Sequence, residues 1–416
     1  MTLFQTTAAI LSVAALANYL NHRVLRLPST MGLMVIGLLT SLGFVLLGKA
    51  NLIDVTHAAS FVRGIDFSET LLHGMLAFLL FAGALHVDLS DLREQKVAIA
   101  VLATVGVVLA TFATGILFWF GARLLGFDLP FIYALLFGAL ISPTDPIAVL
   151  GILKQAGAPR GLEVKITGES LFNDGIGVVV FLTILDIALS GSPPALKEVG
   201  MFLLEEAVGG ALLGLALGWI TYRLLHTVDD YAVEVLLTLA LAAGCYSLAE
   251  AVHVSAPIAI VVAGLVIGNH GRALAMSDKT REHVDTFWEL LDEILNAVLF
   301  VLMGLEVIAL TLNGGYLVLG GLAIAAVLAG RFLSVGLPVG LMRWRWRFSP
   351  GSVRILTWGG LRGGISIALA LSLPPSAERD LILTATYMVV VFSVLVQGLT
   401  LGPFIRRLSK KASESV

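Results

Sequence analysis

Apolar runs of about 20 residues recur along the whole chain, separated by short polar stretches. A helix of that length crosses the ~30 Å hydrocarbon core of a bilayer, so each run predicts a transmembrane span. Runs 3 and 9 are short, and a tilted or re-entrant helix would also fit them. The thirteen predicted spans are, in chain order, Leu3–Tyr19, Leu27–Leu47, Leu71–His86, Val97–Phe120, Pro130–Leu153, Ile166–Leu189, Val199–Leu225, Tyr231–Val252, Val254–Gly268, Leu290–Leu312, Tyr316–Leu341, Val353–Leu373 and Leu381–Phe404.

The composition agrees with one membrane domain rather than a set of soluble domains. Of the 416 residues, 58% are hydrophobic and 13% are charged, whereas an average soluble domain has roughly 25% charged residues. We therefore expect a single all-α polytopic membrane domain over residues 1–410 and a short cytoplasmic tail at 411–416. Cys245 is the only cysteine, which excludes a disulfide framework. No basic strip interleaved with aromatic residues occurs, so nucleic acid is not expected as a partner.

The basic residues predict the orientation of the chain. The loops on one side of the predicted membrane, together with the C-terminal tail, contain 19 Lys or Arg residues, and the opposite loops contain five. Since basic loops face the cytoplasm, the N-terminus is predicted outside and the C-terminus inside the inner membrane of a bacterium. Of the 26 basic residues, only Arg331 and Arg362 then remain well within spans.

Two aspartates share the membrane layer of these two arginines. Asp145 and Asp174 each lie eight residues from the cytoplasmic end of a predicted span, which corresponds to a depth of ~12 Å at 1.5 Å per residue. Arg331 and Arg362 are predicted at ~14–15 Å by the same rise. An ionisable side chain at such a depth costs at least ~2.5–3.5 kcal/mol and usually has a function. These four side chains predict a functional site.

Two spans contain residues that interrupt helices. Span 5 contains the motif Ser142-Pro143-Thr144-Asp145-Pro146, and span 12 contains Gly359-Gly360-Leu361-Arg362-Gly363-Gly364. Proline removes a backbone donor and disfavours helix at the preceding residue, and glycine weakens a helix by up to ~1 kcal/mol. If span 7 links two inverted six-helix repeats, the breaks occupy matching positions, as in transporters that bind substrate between interrupted helices. The alternative is that the prolines only kink span 5 and the glycines only allow close packing.

Span 6 contains oxygen ligands suited to a monovalent cation. Ser170 and Asp174 are four residues apart and share a helix face, as do Glu169 and Asn173. The Asp174 carboxylate and the Ser170 hydroxyl, with the freed carbonyl of Thr144 from span 5, offer a cation several oxygens. The same carboxylate can instead take a proton, because desolvation favours its neutral form. We therefore expect Asp174 to be the shared cation and proton site, with Asp145 binding the ion or holding the unwound segment.

The remaining polar residues are expected to support this site. Glu169 is expected to pair with Arg331 or Arg362, since both arginines need a partner in the membrane. Asn173 either caps freed backbone or bonds to Glu169. Other acidic residues are interpreted as boundary or mouth charges, namely Glu205 and Glu206 near the start of span 7 and Glu289, Asp292 and Glu293 at the opening of span 10. No catalytic residue, cofactor or resident metal is expected beyond the transported ion at Asp174 and Asp145.

Three motifs resemble those of a known family. They are Ser-Pro-Thr-Asp-Pro at 142–146, Gly-Glu-Ser-Leu-Phe-Asn-Asp-Gly at 168–175 and Gly-Gly-Leu-Arg-Gly-Gly at 359–364. With them the chain resembles the NhaP-type monovalent cation/proton antiporters, a family that includes the animal sodium/proton exchangers. The resemblance implies a secondary transporter that exchanges Na⁺ or Li⁺ for H⁺, with a role in pH homeostasis. The family's aspartate pair corresponds to Asp145 and Asp174, and its structural glutamate and two arginines correspond to Glu169, Arg331 and Arg362.

The resemblance also implies a domain organisation and a mechanism. It implies a homodimer in a lipid membrane, with a dimerisation part at about 1–90 and 197–312. A core bundle at about 95–190 and 315–407 would move against it like an elevator. The dipeptide Asn173-Asp174 goes with electroneutral exchange in this family. One departure is the run Phe81-Ala82-Gly83-Ala84, because many members have an acid where this chain has Ala82.

Three other functions compete with this one. A K⁺/H⁺ antiporter of the same fold would carry the same motifs, since selectivity depends on fine cavity geometry. An intramembrane aspartyl protease also uses two aspartates, but it has a Gly-x-Gly-Asp pattern that neither Asp145 nor Asp174 matches. An ion-binding sensor without transport stays open at the level of sequence.

Overall fold

The computed structural model describes residues 3–50, 67–145, 147–158, 160–190, 196–309, 314–342 and 351–413. Each predicted span corresponds to helix in this part of the chain, and no strand occurs within it, so the all-α class is confirmed. Eight helical stretches there are long and apolar enough to cross a membrane by themselves. Pro146, residues 343–350 and residues 414–416 of the predicted tail lie outside the described residues.

Most spans are continuous helices. Seven of them are regular throughout: Leu3–Leu20 (span 1), Ser29–Lys49 (span 2), Arg160–Ser190 (span 6), Leu196–Leu225 (span 7), Tyr231–Ala251 (span 8), Asp278–Glu306 (span 10) and Gly314–Met342 (span 11). Three contain a π-helical turn: Phe67–Leu85 (span 3), Ala256–Gly271 (span 9) and Ala377–Leu408 (span 13).

Three spans are divided into two helices. Span 4 consists of Leu89–Ala103 and Val105–Leu124, which meet at Thr104. Span 5 consists of Phe131–Leu140 and Ile147–Ala156, and span 12 of Ser352–Trp358 and Gly364–Leu371. The predicted interruptions of spans 5 and 12 are therefore confirmed.

Side-chain caps begin several spans by satisfying backbone N–H groups that have no partner inside the helix. The Asp88 carboxylate accepts a bond from the Ser90 amide at 2.8 Å before span 4, and the Asp230 carboxylate caps span 8 in the same way. The Ser90 hydroxyl also donates to Asp88, and these bonds lower the pKa of Asp88 because they stabilise its charged form. The chain therefore specifies these helix starts locally.

Span 10 begins twelve residues before the predicted start at Leu290. The helix starts at Asp278, where the Ser277 hydroxyl accepts a bond from the Thr280 amide at 3.4 Å. The prediction that Asp292 and its acidic neighbours open this span is therefore wrong, because they lie in the middle of one helix.

The physical reason is that the first turns of span 10 are amphipathic. Trp288 is completely buried, and its indole N–H donates to the Thr238 hydroxyl of span 8 at 3.0 Å. Charged residues occupy the other faces of the same turns. A search for uninterrupted apolar runs stops at these charges, whereas the helix continues through them.

Small residues let spans 4, 5 and 11 pack closely, and this packing supports the first half of span 5. Gly138 of span 5 lies against the Thr111 main chain of span 4, where an added Cβ would overlap the Thr111 carbonyl oxygen. Gly330 of span 11 faces Thr114 of span 4, where an added Cβ would overlap the Thr114 side-chain hydroxyl. Such contacts replace the hydrophobic effect as the force that holds helices together in lipid.

We predict that Gly138→Ala destabilises the protein by about 1–3 kcal/mol, the usual cost of an overpacked core. The temperature of half-unfolding of detergent-purified protein measures this effect. Gly321→Ala is the control, because Gly321 lies within span 11 and a methyl group added there would meet none of the described residues within 4 Å. Equal unfolding temperatures for the two variants would contradict the assignment of the span 4–span 5 contact.

Candidate ion-binding site

The two unwound segments cross and bond directly to each other. The Asp145 amide in the break of span 5 donates to the Leu361 carbonyl in the break of span 12 at 2.8 Å. Gly363 allows this approach, because a Cβ there would lie 2.7 Å from an Asp145 carboxylate oxygen. The glycines of span 12 therefore permit the close contact of backbone with the Asp145 side chain.

Arg362 satisfies carbonyls that the break in span 5 sets free. Its Nη1 donates to the carbonyl oxygens of Ser142 at 2.6 Å and Pro143 at 2.8 Å, just past the end of the first half-helix. Its own amide donates to the Ser393 hydroxyl of span 13 at 2.8 Å. A helix C-terminus carries partial negative charge, so a buried guanidinium is favourable there. Arg362 is 2% exposed, and Glu169 is not its partner in the described structure.

The unwound part of span 5 is also bonded to span 6. The Thr144 amide donates to the Asn173 side-chain oxygen at 3.2 Å, and the Asn173 amide donates back to the Thr144 hydroxyl at 2.7 Å. The Thr144 hydroxyl and the Ser170 hydroxyl lie 2.8 Å apart. Of the two roles expected for Asn173, the structure shows the cap on freed backbone. These bonds fix the Ser170 hydroxyl, one helical turn from Asp174, and the Thr144 hydroxyl beside it.

Glu169 and Arg331 form a buried ion pair on the other side of span 6. The pair joins span 6 to span 11, and Arg331 Nε also donates to the Leu356 carbonyl of span 12 at 3.4 Å. Both side chains are buried, so each neutralises a charge that would otherwise be unpaired in the membrane. Glu169 is therefore engaged by Arg331 and is not assigned to the transported ion. The pair connects spans 6, 11 and 12 around the site.

Asp145 and Asp174 line one cavity of about 70 Å³, which is larger than one water molecule needs. Asp174 is 5% exposed, and no basic side chain of the described residues lies within ion-pair distance of it. Thr144 also lines this cavity. Ser170 and Asn173 are not part of the lining and contact Thr144 from span 6. A buried carboxylate beside neutral oxygens can either hold a cation or accept a proton.

Span 3 contributes only apolar groups to this cavity among the described lining residues. Its contributors are Leu71, Leu76, Leu79, Leu80 and Gly83. Ala82 is buried in a cluster of apolar side chains and is not part of the lining. No carboxylate therefore enters the described cavity from Ala82, the position at which the family resemblance implies an acid.

Two polar residues of the cavity were missed by the sequence reasoning. Asn296 of span 10 and Ser366 of span 12 both line it and both are buried. Asn296 stands in the otherwise apolar run Leu295–Phe300, and a single amide inside such a run is the signal that identifies it. Ser366 gives no comparable signal, since serine is common where membrane helices pack.

We predict that Arg331→Ala lowers stability by about 3–5 kcal/mol, because it leaves the buried Glu169 carboxylate without its partner. The yield of folded protein and its unfolding temperature measure the loss. Arg354→Ala, at an exposed position of span 12, is the control. A stable Arg331→Ala protein with altered cation affinity would contradict the structural role.

Comparison with known proteins places the chain in a family. A family model described as "Sodium/hydrogen exchanger, transmembrane" matches residues 9–407. The chain is 52% identical over 409 residues to the Na⁺/H⁺ antiporter NhaP of Pseudomonas aeruginosa, with 96% of each chain covered. It is 38% identical over 411 residues to the Na⁺/H⁺ antiporter NhaH of Halobacillus dabanensis, again with 96% of each covered.

The fold is similar to that of a solved structure. The sodium proton antiporter MjNhaP1 from Methanocaldococcus jannaschii, determined at pH 8, superimposes with a TM-score of 0.75 and 21% identity over 98% of this chain and 99% of that chain. The named relatives are transporters, which argues against the intramembrane protease considered above. Because the family model covers nearly the whole chain and the relatives match it end to end, this protein belongs to the transmembrane sodium/hydrogen exchanger family.

Proposed function

We propose that the protein exchanges Na⁺ or Li⁺ for H⁺ across the bacterial inner membrane and that Asp174 binds the two ions in turn. One observation carries this proposal: Asp174 is a buried carboxylate in a cavity at the crossing of two interrupted helices, and no described basic side chain pairs with it. Exchanger relatives of this chain are named as Na⁺/H⁺ antiporters, which supports the choice of ions.

The chemistry of exchange follows from competition for one carboxylate. A partly dehydrated Na⁺ prefers oxygen ligands. The oxygens assigned to it are those of Asp174, Asp145 and the Thr144 carbonyl, and the Ser170 hydroxyl, which lies outside the cavity lining, supports them through its contact with Thr144. In the absence of the cation, burial favours the protonated carboxyl. The site therefore holds a cation or a proton but not both, and access to each side in turn couples the two fluxes.

The proposed stoichiometry is one cation for one proton. The support for this is the dipeptide Asn173-Asp174, which the family resemblance associates with electroneutral exchange. Exchange of one monovalent cation for one proton moves no net charge, and the transport is then electroneutral.

Alternating access is assigned to an elevator-like movement in a homodimer. The core, about 95–190 and 315–407, carries Asp145, Asp174 and the break of span 12. The dimerisation part, about 1–90 and 197–312, supplies the opposite cavity wall through spans 3 and 10. The division of the cavity lining between these two groups of spans supports the movement. The proposed orientation has the N-terminus outside and the C-terminus in the cytoplasm, as the basic loops indicate.

We predict that Asp174→Asn reduces cation-driven proton movement to the level of empty liposomes, since an amide side chain does not take up a proton near neutral pH. The protein is reconstituted into liposomes that hold a pH-sensitive dye, and Na⁺, Li⁺ or K⁺ is added. Asp186→Asn, an exposed aspartate of the same helix, is the matched control and should exchange like the wild type. Exchange by Asp174→Asn at the wild-type rate would disprove the central assignment.

The same liposomes separate the alternatives. Clamping the membrane potential with valinomycin and K⁺ should leave the rate unchanged if one proton is exchanged for one cation. A response to K⁺ that exceeds the response to Na⁺ and Li⁺ would identify a K⁺/H⁺ antiporter. Folded protein that binds cation but exchanges none of the three would be a sensor.

A further inference from the structure

We propose that the side-chain oxygen of Asn296 is a ligand of the transported cation, contributed by span 10 from the side of the cavity opposite Asp174. This proposal rests on the proposed function, because it needs a cation in the cavity beside Asp174. It adds to the site a ligand from the dimerisation part, which neither the sequence motifs nor the family resemblance assigns.

The first observation is the position of Asn296. It lies near the middle of the long helix Asp278–Glu306 and is 5% exposed. It lines the same cavity as Asp145 and Asp174, next to Leu299, which is one turn further along span 10. Among the described residues Asn296 is the polar side chain that spans 3 and 10 contribute to this lining.

The second observation is an unused hydrogen-bond acceptor. The Asn296 Nδ2 donates to the Asp292 carbonyl at 2.8 Å, which fixes the amide so that its two ends are distinguishable. The Asn296 Oδ1 at the other end is buried and has no hydrogen-bond partner among the described residues. Nearly all buried polar atoms are bonded, so an amide oxygen held in this way needs a partner that enters the cavity.

The chemistry of the cavity favours a cation as this partner. The polar groups that Asn296 faces include two carboxylates, and both of these offer oxygens rather than donors when they are charged. An amide oxygen binds hard cations, as asparagine does in calcium sites. It is also neutral, so it adds a ligand without adding a charge, and the proposed exchange of one cation for one proton is preserved.

The hydroxyl of Ser366 is a second buried group in this cavity without a partner among the described residues. A hydroxyl can donate as well as accept, so a water molecule could satisfy Ser366 and Asn296 together. In that case Asn296 would be bonded to solvent and would not influence the cation. The experiment below separates these two roles.

Two variants test this role. Asn296→Leu removes the side-chain oxygen with little change in side-chain volume, and Asn296→Asp keeps an oxygen at the same place. Detergent-purified protein is titrated with NaCl at constant ionic strength with choline chloride, and the rise in unfolding temperature reports Na⁺ binding. We expect the Na⁺ midpoint of Asn296→Leu to increase about tenfold, because one ligand is lost, whereas Asn296→Asp stays at or below the wild-type midpoint. The Na⁺ concentration for half-maximal exchange in liposomes should shift in parallel.

Asn269→Ala is the matched control. The Asn269 amide also donates to a carbonyl four residues earlier, that of Leu265 at 2.9 Å, but its oxygen already accepts a bond from the Leu89 amide. This variant should unfold at a lower temperature and keep the wild-type Na⁺ midpoint. It therefore shows what loss of a structural asparagine does by itself.

The outcomes test separately the role of Asn296 and the proposed ion exchange at Asp174. An unchanged Na⁺ midpoint in folded Asn296→Leu, while Asp174→Asn loses the Na⁺ response, would overturn the role of Asn296 and leave the proposed function intact. A full Na⁺ response in Asp174→Asn would instead overturn the proposed function. A raised midpoint in Asn269→Ala equal to that in Asn296→Leu would also overturn the role of Asn296, since the effect would then follow from destabilisation.

Discussion

Backbone groups inside a membrane have no water to bond to, so an interrupted span is stable only where other protein groups satisfy its freed N–H and C=O groups. Spans 5 and 12 meet this requirement largely with each other. The Asp145 amide bonds to the Leu361 carbonyl, and the Arg362 guanidinium bonds to the carbonyls of Ser142 and Pro143. Each break thus stabilises the other, and the cavity lies where they cross.

The buried charges around this crossing are balanced in two different ways. Glu169 and Arg331 neutralise each other and join spans 6, 11 and 12. Arg362 is instead used on backbone carbonyls, where it offsets the negative end of a half-helix. Because both arginines are engaged elsewhere, Asp174 is left without a basic partner among the described residues, and this is the state that a carboxylate exchanging ions requires.

Much of this arrangement was predictable from sequence, because its signals are local. Proline and glycine break helices wherever they stand, so the interruptions at Pro143 and at Gly359–Gly364 could be predicted residue by residue. Charges in apolar runs identified both arginines and both aspartates. Glu169 was predicted to pair with Arg331 or Arg362, but the choice between them could not be predicted, since Glu169 and Arg331 are 162 residues apart and meet only through the packing of spans 6 and 11. Asn296 has a local signal, the single amide in an apolar run, but its place in the cavity also depends on packing. The start of span 10 was misplaced because the helix continues through amphipathic turns.

The leucines that span 3 places along the cavity give the proposed movement a surface without hydrogen bonds. Hydrogen bonds across a sliding surface would create discrete stops, because each bond must break before the next position is reached. The side chains of Leu71, Leu76, Leu79 and Leu80 offer only dispersion contacts, which are worth ~0.1–0.2 kcal/mol per atom pair and have no preferred direction. A polar cargo can pass this face of span 3 smoothly while its ligands in spans 5 and 6 travel with it, and the proposed contact with Asn296 of span 10 then marks one position along the path. Along span 3, the resistance to movement would then be set by the shape of the leucines and not by the strength of any bond.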